Sequence, residues 1–241
     1  GSRDACARQA TQRAPRKHHM INTVAVPKPW GFEYLAYRNK HLAVWALRIE
    51  PNQRTSFHCH ARKNTALIVA SGLVKFQLIR DFRIMQPLDK LNVFRGRFHS
   101  TEALTRAGAW LLEVEAPEDK ADVVRIRDDY DRSGTPYEES RVPLPLDALV
   151  IGHPSKKDVW LPFEELSLCH RLISESLDFF TECSSTDLLV VTNGGLYDPY
   201  SKSGILLPGD AIDMLSFRMI LPRLRFFSYS SVIHLTKRIA P

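Results

Sequence analysis

The residues best suited to chemistry in this chain lie in one short stretch, Thr55-Ser56-Phe57-His58-Cys59-His60. On an extended strand, side chains at i and i+2 leave the same face, so His58 and His60 project together while Cys59 points away. Two imidazoles on one face are half of a transition-metal site, of a kind that suits zinc, iron, nickel or copper. Alone, the pair is also compatible with a polar strand edge. A third histidine, His99, follows the turn Phe94-Arg95-Gly96-Arg97-Phe98. Between these histidines, an apolar run Ala66-Leu67-Ile68-Val69-Ala70 ends at Ser71-Gly72.

The elements that must position these residues are short strands. Candidates are His41–Ile49, Ala66–Ala70, Leu73–Ile79, Lys90–Phe94, Ala109–Glu115, Leu188–Thr192 and Gly204–Leu207, each bounded by turn residues. Many short strands with frequent turns predict an all-β sandwich or barrel. One helix is expected around Pro162–Leu166, where proline at an early helical position precedes acidic residues. The segment Glu115–Pro145 is rich in Asp, Glu and Arg and ends in Val142-Pro143-Leu144-Pro145, which reads as an ordered excursion followed by a linker. This divides the chain into a domain over 20–140 and a second over 146–241.

Composition narrows the function classes. The 241 residues are 44% hydrophobic and 25% charged, which is ordinary for a globular protein and excludes a mainly disordered one. No apolar run approaches the ~20 residues of a membrane helix, so no membrane partner is expected. The formal charge of +6 suggests nucleic acid only until it is located. Residues 1–19 hold Arg3, Arg8, Arg13, Arg16 and Lys17 against Asp4, which accounts for four of the six charges. That stretch, opening on Gly1-Ser2 as a tag scar does, reads as a disordered leader outside the fold. Four cysteines without a CxxC pair or a dense framework suggest reduced thiols and a cytoplasmic setting.

Taken together, the histidines and glycines resemble the cupin superfamily. Its first motif, G-x5-HxH-x3,4-E-x6-G, corresponds to Asn52, His58, His60, Thr65 and Gly72; its second, G-x5-PxG-x2-H-x3-N, corresponds to Phe94, Gly96 and His99. A second resemblance narrows the branch. Lys28-Pro29-Trp30-Gly31-Phe32-Glu33 and Asp122-Val123-Val124-Arg125-Ile126-Arg127-Asp128-Asp129-Tyr130-Asp131-Arg132 look like the flanking motifs of the cupin domain in type II phosphomannose isomerases. Asp131 departs from that family's glycine. The matches span about residues 27–137.

The resemblance implies a double-stranded β-helix (the cupin jelly roll) and a divalent transition metal, zinc, iron, nickel or manganese, held by His58, His60 and His99. Thr65 stands where the family places a carboxylate ligand, so the implied site is three neutral imidazoles. It would favour an anionic small-molecule substrate such as a sugar phosphate. An aldose–ketose isomerase needs an electrophile, a base and cations for the phosphate. Lys63 and Glu113 are the candidate catalytic residues, with Glu113 and Glu115 on one strand face, and Arg54, Lys63 and Arg97 are candidate substrate contacts. A three-histidine iron(II) dioxygenase and a non-catalytic sugar- or ligand-binding cupin are the alternatives. The Arg125/Arg127/Arg132 and Asp128/Asp129/Asp131 cluster reads as a salt-bridge network fastening the excursion to the barrel. A homodimer through exposed sheet edges is a further expectation.

The second half carries echoes of the same motifs in Asp187–Gly195 and Ile205–Asp210. Setting Gly194 on Gly72 places Phe180 and Glu182 where His58 and His60 stand; setting Gly209 on Gly96 places Ile212 where His99 stands. The expectation is a second, degenerate barrel without metal ligands, used for packing or assembly; the alternative is a C-terminal extension of one barrel. His153, His170 and His234 read as ordinary polar or core histidines.

Overall fold

The computed structural model describes residues 24–132, 140–173, 180 and 183–238. The expected leader over 1–19 and Glu182 lie outside these residues. The first half is built from β1 (Val24–Lys28), β2 (Gly31–Arg38), β3 (Ala43–Ile49), β4 (Phe57–Cys59), β5 (Asn64–Ser71), β6 (Val74–Gln77), β7 (Phe82–Met85), β8 (Lys90–Val93), β9 (Ser100–Ala103), β10 (Ala109–Ala116), β11 (Val124–Arg127) and β12 (Val142–Pro143). A seven-stranded sheet runs in the order β12-β1-β2-β3-β10-β5-β8. Its partners are the sheets β7-β6-β9 and β11-β4, joined where His58 and His99 exchange backbone hydrogen bonds of 3.0 and 2.8 Å. The stretch expected to be a linker therefore begins as an edge strand, with Val142 and Pro143 paired to Ala25 and Val24. Proline is tolerated there because an edge strand needs no donor on its outer side.

The central strands β3, β10 and β5 of the large sheet are buried on both faces. Trp45, Leu47, Leu67, Val69 and Leu111 point inward to a core shared with Val74, Phe76 and Ala103 of the smaller sheet. Their strand neighbours Val44, Ala46, Ala66, Ile68, Leu112 and Val114 point outward into a second core, completed by Leu166, Leu168, Val190, Ile233 and Leu235. This explains why strands such as β5 read as unbroken apolar runs, a pattern that requires both faces to be covered. Gly31, at φ +143°, packs so close to β3 that a Cβ would stand 2.0 Å from the Arg48 carbonyl oxygen.

The second half contributes β13 (Trp160–Phe163), β14 (Leu166–Leu172), β15 (Leu188–Asn193), β16 (Leu196–Tyr197), β17 (Gly204–Leu206), β18 (Ala211–Asp213), α1 (Met214–Ile220), β19 (Arg225–Phe226) and β20 (Ser231–Lys237). Its sheets run β13-β14-β20-β15-β18 and β17-β16-β19. The order β14-β20-β15-β18 repeats β3-β10-β5-β8, and β17-β16-β19 repeats β7-β6-β9.

Two local expectations are corrected. Residues 162–166 form no helix. They close the β13–β14 hairpin, with Glu164 at φ +55° in the turn and Pro162 on the edge strand, where its missing N–H costs nothing. A helix forms instead at α1, where the Asp213 side chain accepts from the Ser216 backbone N–H at 2.8 Å. Gly209 precedes β18, the counterpart of β8, whereas Gly96 follows β8; the pairing of these two glycines, and of Ile212 with His99, does not hold. No helix among the described residues is long and apolar enough to cross a membrane. Cys59 and Cys169 are free thiols.

Candidate metal centre

His58 and His60 flank Cys59 on β4 and its end, and His99 immediately precedes β9. The paired backbones of residues 58 and 99 bring all three imidazoles together, with ring centroids 5.0, 4.6 and 5.5 Å apart. Each ring is tied down at Nδ1. His58 Nδ1 lies 2.8 Å from the Ser56 carbonyl, His60 Nδ1 2.6 Å from the Asp122 carbonyl, and His99 Nδ1 3.0 Å from the Arg97 carbonyl. A carbonyl oxygen only accepts, so Nδ1 carries the proton in each ring and Nε2 presents a lone pair.

Electrostatics point the same way. Burial, reinforced by the neighbouring rings, holds His58 well below its ordinary pKa. Burial, helped by Lys63, lowers His60 to about 3, and burial lowers His99 as well. The imidazoles are therefore neutral near pH 7, and their ligand atoms lie within 4.8 Å of one another. His60 Nε2 is buried and has no hydrogen-bond partner. A cluster of inward lone pairs, one of them orphaned, is the donor set of a transition ion, and the three residues fit one.

Asp122 sets the loop that follows the paired histidines. Its carboxylate accepts the backbone N–H groups of Ala61, Arg62 and Lys63 at 2.9, 2.8 and 2.9 Å, while its own carbonyl orients His60. Burial would raise its pKa, but these bonds outweigh that and hold the carboxyl below the usual range. The excursion is thus a clamp across the barrel, through β11 paired to β4 and through Asp122. Part of the expected salt-bridge network is present: Arg132 pairs with Asp128 at 2.8 Å, and Arg54 with Asp129.

A cavity opens beside the histidines. Lys63 and Glu113, the catalytic candidates, line it, and so do Glu33, Glu115, Lys28, Lys120, Arg125 and Arg132. Lys63 Nζ donates to Glu115 Oε1 at 2.8 Å and to the Asp119 carbonyl at 2.9 Å. Lys120 reaches Glu115, Glu33 and Glu113 at 2.9, 3.1 and 3.7 Å and lies over the Trp45 ring. The lining carries five cationic and three anionic side chains besides the histidines, a positive surplus.

Arg54 and Arg97 are exposed and outside this lining. Arg54 is engaged bidentately by Asp129, and Arg97 lies over the Phe94 ring. Thr65 pairs directly with Glu115 across β5 and β10, so both side chains leave the inner face, and Thr65 Oγ1 and Glu115 Oε2 are buried without a hydrogen-bond partner. The carboxylate absent at 65 thus has a neighbour one strand away.

Sequence reasoning did not single out Lys28, Glu33, Lys120, Arg125 or Arg132 as site residues. The signal for the acids was present in Leu111-Leu112-Glu113-Val114-Glu115, where charge replaces every second apolar residue on a strand otherwise buried on both faces. Glu33 occupies the same inner face two strands over, opposite Leu47.

No family model and no curated protein matches the chain. Among solved structures, KdgF from Halomonas sp. is similar at 16% identity, with a TM-score of 0.37 over 38% of this chain and 84% of that one. An RmlC-like cupin from Shewanella frigidimarina is similar at 15% identity, TM-score 0.38, over 41% and 87% of the two chains. A protein described as a putative sugar phosphate isomerase from Acidithiobacillus ferrooxidans is similar at 20% identity, TM-score 0.33, over 38% and 63%. These likenesses concern fold alone. The chain's own geometry is an all-β fold of paired antiparallel sheets, with the His58-x-His60 strand and His99 facing it.

Proposed function

We propose that the chain is a metal-dependent cupin enzyme acting on a small anionic substrate, with sugar-phosphate aldose–ketose isomerisation as its reaction. The observation that carries this reading is the triad of neutral histidines, each pinned at Nδ1 to a backbone carbonyl, beside a cavity lined by carboxylates and lysines. A divalent transition ion held by His58, His60 and His99 supplies a Lewis acid toward a substrate oxygen. Glu113 is the group for moving a proton between adjacent substrate carbons, because it lines the cavity on the same face as Glu115. Lys63 and Lys120 both pair closely with Glu115, at 2.8 and 2.9 Å, which leaves Glu113, with its looser 3.7 Å ion pair to Lys120, as the acid–base residue. The positive surplus of the lining favours a phosphate.

The buried acid–base network favours proton transfer over oxygen chemistry, which is the specific ground for preferring an isomerase to the iron dioxygenase. The test uses protein purified without a nickel column and reconstituted with manganese, zinc, nickel or iron. Interconversion of mannose 6-phosphate and fructose 6-phosphate, lost in Glu113→Gln while metal is retained, is the expected result. Oxygen uptake dependent on substrate with the iron form, and no isomerisation with any metal, would transfer the assignment to the dioxygenase. A metal content in His58→Ala undiminished from that of the parent chain would refute the ligand set.

A further inference from the structure

We infer that the second half holds a metal site of its own, in which Cys183, Asp187 and His234 bind a zinc-like divalent ion. The inference is independent of the reading of the first centre. The ligand atoms of the three residues lie within 4.8 Å of one another, and Asp187 and His234 are each only 4% exposed. His234 Nε2 lies 2.9 Å from Asp187 Oδ2, which also accepts the Ser184 backbone N–H at 3.0 Å. Asp187 Oδ1 is buried with no hydrogen-bond partner. A buried carboxylate with an unused oxygen, beside an imidazole and a thiol, is a ligand set in want of a cation.

The place of this cluster in the fold supports the same conclusion. Gly72 and Gly194 end the matching strands β5 and β15 at φ +78° and +65°. With these glycines superposed in sequence, Asp187 falls on Thr65. The register of β15 with β20 pairs Leu189 with His234, just as β5 and β10 pair Leu67 with Glu113, so His234 falls on Glu113. The cluster thus occupies, in the second half, the inner-face positions beside which the first half places its histidines. His234 is not an ordinary core histidine, and the second half retains metal ligands at positions the HxH comparison does not reach.

The chemistry differs between the two centres. Thiolate and carboxylate bring two negative charges, so a bound divalent ion leaves a neutral site, whereas three imidazoles leave the full ionic charge for a substrate. A neutral, largely buried site suits a fastening role, joining the segment before β15 to β20. Tetrahedral zinc distances require the imidazole N and carboxylate O to stand about 3.3 Å apart, so the present 2.9 Å pair opens only slightly. Binding sends the thiol proton to solvent, and the imidazole proton moves from Nε2 to Nδ1 if Nε2 is the ligand.

The test is a cobalt(II) titration of the full chain in a His58→Ala/His99→Ala background, which disables the first centre. The expected result is one cobalt per chain with a thiolate-to-cobalt charge-transfer band, and loss of both in the added Cys183→Ala variant. Failure to bind cobalt, or a band that survives Cys183→Ala, would overturn the inference. A second measurement needs no change at the cluster: in the same background, zinc should slow alkylation of Cys183 at least tenfold, and unchanged reactivity would refute the site.

Discussion

Replacing Asp122 by alanine tests the structural logic of the first centre most directly. The carboxylate accepts three backbone N–H groups at the turn after the paired histidines. A hydrogen bond to a charged group contributes about 1.5–3 kcal/mol when its partner cannot be replaced by water. Ala61 and Arg62 are exposed, so water recovers part of their loss, while Lys63 is buried and recovers little. The net cost is about 3–4 kcal/mol, which for a chain of this size lowers the melting temperature by roughly 6–16 °C. The same loop carries the carbonyl that fixes the His60 ring, so divalent-metal affinity should fall about 10–100-fold, the usual effect of losing a group that orients a ligand. Asp122→Asn keeps one acceptor but turns amide hydrogens toward the donors, and should lie between. Thermal melting of metal-free protein and competition with a chelating dye measure the two effects separately. If Asp122→Ala melts within about 2 °C of the parent and binds metal equally well, the clamp does not organise the site.

Thr65→Glu places a carboxylate beside Glu115 and toward the histidines; it should tighten divalent-ion binding and weaken inorganic phosphate binding, by about tenfold each for one added charge interaction. Equal changes in the same direction would contradict the charge argument. Lys63→Met leaves Glu115 with Lys120 as its cation and should cost about 2–3 kcal/mol in urea unfolding, below the full penalty of a stranded buried charge; adding Glu115→Gln should restore part of it. His170 is held below its ordinary pKa by burial, against the hydrogen bond to the Gly152 carbonyl. The unfolded chain therefore takes up that proton first, so this share of stability is complete above about pH 6.5 and is lost as pH falls. His170→Gln should flatten the decline in melting temperature between about pH 6.5 and 5, and an unchanged slope would exclude His170 as a source.

Much of the first centre could be read from short-range rules. The i, i+2 spacing of His58 and His60 needs only a strand to become a common face, and β4 provides it. His99 was legible because the turn at Gly96 fixes where the next strand begins. What spacing could not reveal was which distant charges share the cavity. Lys120 and Glu33 meet at 3.1 Å only because a loop crosses the barrel mouth to reach β2, and nothing local to either residue encodes that. Pro162 misled for a related reason. Proline ahead of two glutamates suits a helix start, but on an edge strand the missing donor costs nothing and the hairpin takes the segment. The helix at Met214 was announced by Asp213 and Ser216, a capping pair easily lost in a seven-residue element. Arg54 and Arg97 looked like phosphate contacts because they neighbour the histidines in sequence, yet both lie outside β4 and β9 and are exposed, Arg54 held by Asp129 and Arg97 over the Phe94 ring.

The doubly covered central strands of the large sheet have a consequence for how this chain unfolds. Severing the chain between its halves would lay bare Val44, Ala46, Ala66, Ile68, Leu112 and Val114 on one fragment and Leu166, Leu168, Ile233 and Leu235 on the other. Each fragment would then carry a continuous apolar wall, the condition for association rather than independent folding. The halves are therefore expected to melt in one cooperative transition, and any ligand that binds only the folded chain raises that single transition by mass action. An ion entering either half is thereby felt as stability by both, through the shared wall rather than through any path between the sites.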